Sequence, residues 1–265
     1  VNWVIIGLLG LILGSFFNVC IWRIPRGQSI SYPPSHCPRC KKRIRAYDNI
    51  PIISYLILRG RCRDCHQPIS LRYPLIEAIT ALLFLLSYFR FGFDWQLVRV
   101  LVFISLLIVL AGIDFDHKIL PVELSFAGLT VGLVTALIPM FQMPIKEAFW
   151  GAVIGAGFVF FAWALWRFVL VRPFSRMGVK QKEAMGWGDL PFAAMIGVFV
   201  GGKGMIVALA VAVVTGVLFG LAGRIGGRLK KGQEVPFGPF LALGGVVGLF
   251  AGREILDWYL KLVMP

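Results

Sequence analysis

Hydrophobic residues run along this chain in long unbroken stretches. Eight of them stand out, at about 2–22, 74–90, 95–113, 121–141, 147–168, 188–202, 204–223 and 237–258. A helix needs about 20 apolar residues to cross roughly 30 Å of hydrocarbon. The pattern therefore predicts an all-α polytopic membrane protein of about eight transmembrane helices. The sixth run is short and follows Gly186-Trp187-Gly188-Asp189, which places its start inside a cavity. A polar segment interrupts the runs early and divides the chain into a first anchor at 1–22, an insert at 23–73 and a membrane core at 74–265.

Composition agrees with a lipid solvent. The chain of 265 residues is 58% hydrophobic and 15% charged, with a mean hydropathy of +0.81. A single globular core of that length could not hide so much apolar surface. Disorder and a secreted disulfide scaffold are excluded. The pairs Gly128 and Gly132, Gly151 and Gly155, Gly216 and Gly220, and Gly244 and Gly248 read as close helix contacts.

Charge then orients the spans. Lys and Arg outnumber Asp and Glu by 27 to 13, giving +14. Of the 27, 21 fall in four segments, at 23–72, 114–121, 167–187 and 224–231. The positive-inside rule makes those segments cytoplasmic and puts the N-terminus outside. The basic surplus is thus a topology signal, and no nucleic-acid partner is expected. The first run lacks a basic stretch before it and a small-residue cleavage site, and its first arginine, Arg23, follows it. That charge order is the reverse of a signal peptide's and reads as a retained anchor.

The insert carries four of the five cysteines, as Cys37-Pro38-Arg39-Cys40 and Cys62-Arg63-Asp64-Cys65. Each C-x2-C offers two thiolates from one tight turn, and two such turns complete a tetrahedral site suited to structural Zn²⁺. The insert is too small for much core of its own, and a metal staple supplies what it lacks. The alternatives are two disulfides, which a reducing cytoplasm disfavours, or cysteines without metal. Cys20, at the end of the first run, reads as a small apolar packing residue.

Few acids fall in or beside the spans, where a charge is costly and usually functional. Glu77 lies just inside the second run, Asp114 and Asp116 at the end of the third, and Asp189 at the start of the sixth. The topology puts Asp114, Asp116 and Asp189 at one membrane face. Two carboxylates about 3 Å apart cannot both ionise cheaply and share a proton. One can then act as base on water while the other polarises a carbonyl, which is peptide hydrolysis. Residues two apart on a helix face different ways, so only one of Asp114 and Asp116 can meet Asp189. Gly186 and Gly188 would let a substrate backbone approach. The alternatives are interfacial solvation of these acids, or pairing with Lys118 or His117.

Taken together, these segments resemble the bacterial type IV prepilin peptidases, the prepilin leader peptidase/N-methyltransferases of the GxGD aspartic protease group. The resemblance rests on Gly14-Ser15-Phe16-Phe17-Asn18-Val19-Cys20-Ile21-Trp22-Arg23-Ile24-Pro25-Arg26-Gly27, the two cysteine pairs, Asp48-Asn49-Ile50-Pro51 and Ser54 through Cys62. Ile69 through Glu77, Ile113-Asp114 with Pro121, and Glu183-Ala184-Met185-Gly186-Trp187-Gly188-Asp189 complete it. It implies an inner-membrane enzyme that removes the leader of type IV prepilins and type II secretion pseudopilins after a Gly, at the cytoplasmic face. It further implies N-methylation of the new terminus with S-adenosylmethionine, with catalytic acids that map onto Asp114 and Asp189. Gly60 and Arg61 lie in a characteristic part of the insert and are candidates for the methyltransferase. Val122 stands where the family often has Asp or Asn, and Pro191 where it often has Lys. The rival functions are a peptidase without methyl transfer, a membrane-anchored zinc module, and a transporter using paired acids. A transporter would place its acids nearer the bilayer midplane.

Overall fold

The computed structural model describes residues 1–170, 186–227 and 235–264. It divides into two compact units, residues 1–109 and 110–265. Glu183, Ala184, Met185 and the basic residues at 172–182 and 228–231 lie outside the described residues.

In the first unit α1 (Asn2–Arg23) packs against α3 (Arg72–Phe91). Small residues set the distance between them. A Cβ on Gly10 would lie 2.6 Å from the Ala81 backbone, and one on Gly14 would lie 2.7 Å from that of Glu77. Side-chain hydroxyls buried in α3 satisfy themselves on their own helix. Thr80 Oγ1 donates to Ile76 O at 2.7 Å and Ser87 Oγ to Leu83 O at 2.6 Å, so neither leaves an unpaired group in an apolar surround. The insert lies between these helices in the chain and contains one short α-helix, α2 (Ile53–Ile57), and two 3₁₀ turns, Ile24–Arg26 and Ala46–Asn49.

A long helix, α4 (Trp95–His117), runs from the first unit into the second. The second unit continues with α5 (Val122–Ala136), α6 (Ile145–Leu165), α7 (Asp189–Ile225) and α8 (Gly238–Val263). Six helices among the described residues are long and apolar enough to cross a bilayer, and the chain is a membrane protein. Two differences from the eight apolar runs have local causes. The run at 121–141 yields only 15 helical residues, because the chain leaves the helix before Pro139. The runs at 188–202 and 204–223 form one 37-residue element, α7, whose helical course breaks at Gly201, with φ 74 and ψ 176.

That break is a reversal. Gly155 of α6 has both Ala193 O and Met205 Cε beside its Cα. On a straight helix residues 193 and 205 would sit about 18 Å apart, so the two arms of α7 fold back on one another. The first arm is buried from Pro191 to Gly202, as befits a helix that is apolar all round. It packs on α6 through Gly151 and Gly155, backbone against backbone. The second arm packs on α8, where Gly244 and Gly248 meet Ala208 and Gly204. Gly216 and Gly220 do not follow this pattern: Gly220 has nothing within 4 Å of an added Cβ.

Candidate active site and metal centre

Asp114 lies on the last turn of α4, buried at 6% exposure. Its Oδ2 accepts a hydrogen bond from Gly238 N–H at 2.8 Å. Gly238 is the first residue of α8, whose leading N–H groups have no partner within the helix. Asp114 therefore caps a helix 124 positions further along the chain.

Asp189 opens α7 at 7% exposure, and its Oδ2 accepts from Gly186 N–H at 2.9 Å. Both acids thus face the positive end of a helix. Both acids belong to the second unit, where the charge of Asp114 bears on Asp189. Asp116, two residues along α4, is exposed.

The glycines of the turn differ in their reasons. A Cβ on Gly188 would fall 2.6 Å from Leu120 O, because the turn lies directly on the connection between α4 and α5. A Cβ on Gly186 would make only an ordinary contact, 3.5 Å from Asp189 Oδ2. Trp187 packs against Trp163 of α6 with ring centroids 5.3 Å apart and planes tilted by 50°, which anchors the turn. Pro191 sits in the first turn of α7, where a missing N–H costs nothing, and it is buried. Val122 begins α5 directly after Pro121.

Sequence reasoning missed Gly238. A Cβ there would lie 2.6 Å from Asp114 Oδ2 and 3.0 Å from its Cγ. The signal that could have found it is Pro236-Phe237-Gly238-Pro239, a glycine set just where a span begins.

In the insert the two cysteine pairs adopt the same turn. Cys37 N–H donates to Lys42 O and Lys41 N–H to Cys37 O, both at 2.9 Å. Cys62 N–H donates to Gln67 O and His66 N–H to Cys62 O at the same distance. Lys41 and His66 each take positive φ, at 62 and 54. All four sulfurs lie within 4.8 Å of one another, with Cys37 Sγ and Cys65 Sγ 3.8 Å apart. Zn–S bonds of about 2.3 Å in a tetrahedron put sulfurs about 3.8 Å apart. The donor set fits zinc, and the cysteines are unbridged. Lys42 reaches Asp64 at 3.1 Å across the pair of turns. Arg63 binds Asp48 through Nε and Nη2, and these hydrogen bonds hold the Asp48 carboxyl below the usual carboxylate range. Gly60, at φ 68, packs under the Tyr55 hydroxyl, and Arg61 pairs with Pro68 at the base of the second turn.

Comparison with known proteins follows this division. Residues 8–91 match the bacterial peptidase A24 N-terminal domain, and residues 101–221 match the type IV leader peptidase family. The prepilin leader peptidase/N-methyltransferase of Myxococcus xanthus is 40% identical over 236 residues, covering 87% of this chain and 67% of its own length. Its namesake in Xanthomonas campestris is 32% identical over 276 residues, covering 96% and 92%. That of Pseudomonas aeruginosa is 33% identical over 278 residues, with the same coverage. This chain belongs to the prepilin leader peptidase/N-methyltransferase family. No solved structure matches it significantly. Within the family match, the four cysteines fall in the N-terminal segment, and Asp114, Gly186, Gly188 and Asp189 in the peptidase segment. Gly238 lies beyond both.

Proposed function

We propose that this protein cleaves the leader from type IV prepilins and type II secretion pseudopilins after a glycine, and then methylates the new N-terminus. The observation that carries the peptidase reading is the pair of buried carboxyl groups, Asp114 held by the Gly238 N–H that opens α8 and Asp189 held by the Gly186 N–H of the turn that leads into α7. One carboxylate takes a proton from water as its oxygen attacks the scissile carbonyl carbon. The other, protonated, donates to the carbonyl oxygen as charge builds there. Collapse of the tetrahedral species breaks the C–N bond, and the leaving nitrogen takes the proton from the first acid.

Methylation rests on the names of the relatives and on the intact insert. S-adenosylmethionine supplies the methyl group when bound. Gly60 and Arg61 are positions whose change should affect this step more than cleavage. Cys37, Cys40, Cys62 and Cys65 hold a structural Zn²⁺, with no ligand position left for chemistry. The functional division is the anchor at 1–22, the zinc insert at 23–73 and the peptidase core at 74–265.

The enzyme resides in the bacterial inner membrane, with its N-terminus outside and the acid pair at the cytoplasmic face. The sorting of basic residues among the loops supports that orientation. Purified enzyme incubated with a prepilin tests the reading: loss of the leader supports it, and an intact prepilin refutes it. A label from S-adenosylmethionine appearing on pre-cleaved pilin separates the bifunctional enzyme from a peptidase alone.

A further inference from the structure

Glu77 is buried in the first turns of α3, and neither the acid pair nor the cysteine turns use it. Its Oε2 accepts from Ile52 N–H, in the insert, at 2.7 Å. It also accepts from the Ser15 hydroxyl of α1. This contact fixes a depth. Trp22 and Arg23 end α1, and Arg72 and Tyr73 begin α3; such residues mark the level where a span meets the membrane surface. At 1.5 Å per residue, Glu77 lies about 7.5 Å inside the start of α3. Gly14, which packs on the Glu77 backbone, lies about 13 Å inside the end of α1. A glutamate side chain reaches about one helical turn, so Ile52 sits no higher than the first turn of α3 and well inside the end of α1. Asn49 and Pro51, beside it, line a cleft with Ile12, Ser15 and Phe16 of α1.

The segment that starts there is made for an apolar medium, where a backbone group without a partner is costly. Ile50 N–H donates to Ser54 Oγ and Ser54 N–H to Ile50 O, both at 3.0 Å. Leu56 N–H donates to Ile52 O at 3.0 Å and Leu58 N–H to Ser54 O at 2.9 Å. Pro51 has no N–H to place, and Ile52 N–H takes the Glu77 carboxylate. Ile52 has φ 58, a conformation that costs a β-branched residue energy and persists only when its surroundings impose it. The side chains reverse the pattern of a water-facing loop. Ile53, Leu56 and Ile57 are 52%, 67% and 69% exposed, and their spacing puts them on one face of α2. Arg59, exposed just beyond them, can carry its charge to a headgroup while its stem stays in apolar surroundings.

We propose that α2 is immersed in the lipid leaflet on the insert's side of the bilayer, with Ile53, Leu56 and Ile57 among the acyl chains and Glu77 as the tether that holds it there. The inference does not depend on the catalytic reading. Interfacial helices bury their apolar faces about 5–10 Å into the acyl boundary, the depth at which Glu77 lies. In water the three aliphatic side chains would stay exposed at a cost; in the leaflet the same exposure is favourable. A buried carboxylate given to one backbone N–H then has a reason, since no water reaches that N–H to replace it. The insert is thereby pinned to the membrane between its two flanking spans as well as at them.

Photocrosslinking on the full chain tests this. The photoreactive residue p-benzoylphenylalanine replaces Leu56, and the protein is irradiated in nanodiscs of phosphatidylethanolamine and phosphatidylglycerol. The same residue in place of Phe89, exposed on α3, serves as the lipid-facing standard. Intact mass should show a lipid adduct at both positions. In the Leu56 protein Glu77→Ala should lose most of that adduct, and Glu77→Gln, whose amide oxygen still accepts from Ile52 N–H, should keep it. An adduct that survives Glu77→Ala overturns the tether. A crosslink to residues 110–265 would mean that the peptidase core covers α2, and a doubled mass would mean that a second copy does. Either result, or no adduct at Leu56 beside a clear one at Phe89, overturns the proposal. Hydroxyl-radical oxidation of wild-type protein in the same nanodiscs decides the matter if the labelled protein unfolds. Ile53, Leu56 and Ile57 should escape oxidation where Ile44, an exposed aliphatic residue beside the first cysteine turn, does not; equal oxidation overturns the proposal.

Discussion

Gly238 N–H donates to Asp114 Oδ2 at 2.8 Å, and the same glycine leaves no space for a side chain beside that oxygen. The carboxyl group is both held and confined by one residue. It is short and buried, so it cannot swing aside as a lysine tip could.

Gly238→Ala should therefore displace Asp114 and lower the leader-cleavage rate by about 100-fold, the scale of a misplacement near 1 Å. The protein should still insert. The check is kcat on a purified prepilin, with methylation of a pre-cleaved pilin as the control that the rest of the fold survives. Cleavage at the wild-type rate would show that Asp114 does not depend on this contact.

Asp114→Asn and Asp189→Asn should each reduce cleavage by at least about 1,000-fold, because an amide neither takes nor gives the proton. Both variants should keep methylating a pre-cleaved pilin. Asp116→Asn, at an exposed position, should stay within a few-fold of wild type. A substantial rate in either of the first two variants would remove that residue from the catalytic pair.

The two glycines of the turn should respond unequally. Gly188→Ala puts a Cβ against the Leu120 backbone, whereas Gly186→Ala makes an ordinary contact. The first should cost activity by about tenfold or more, since the turn carrying Asp189 must lift. The second should be milder. Equal losses would mean that both glycines serve substrate approach rather than the chain's own packing.

Purified enzyme should contain close to one equivalent of zinc by metal analysis. Cys37→Ser and Cys62→Ser should lower that content and open the insert to protease between the two cysteine turns, because metal binding and folding are coupled in so small a segment. Active enzyme with no bound metal would refute the site.

Apolar runs in the sequence located the helices, because lipid imposes a length and a composition on anything that crosses it. They could not show that the stretch after Asp189 is wrapped in protein. A buried helix and a lipid-facing one are equally apolar, and only contacts with α6 tell them apart. The cysteine pairs were readable because metal geometry fixes local spacing. Asp114 and Asp189 stood out for a different reason: a carboxylate next to a span needs a purpose. Gly238 escaped notice because its role is a contact across 124 residues, and one glycine among 30 carries no mark of such a contact.

The reversal at Gly201 bears on parity. A helical element of 37 residues has the length of one long crossing, but arms that fold back at Gly201 should return the chain to the side where it entered. One crossing and two would thus put the segment after Ile225, and α8 with it, on opposite sides of the bilayer. A reporter domain fused after Gly227 and another fused before Gly186 should therefore report the same compartment.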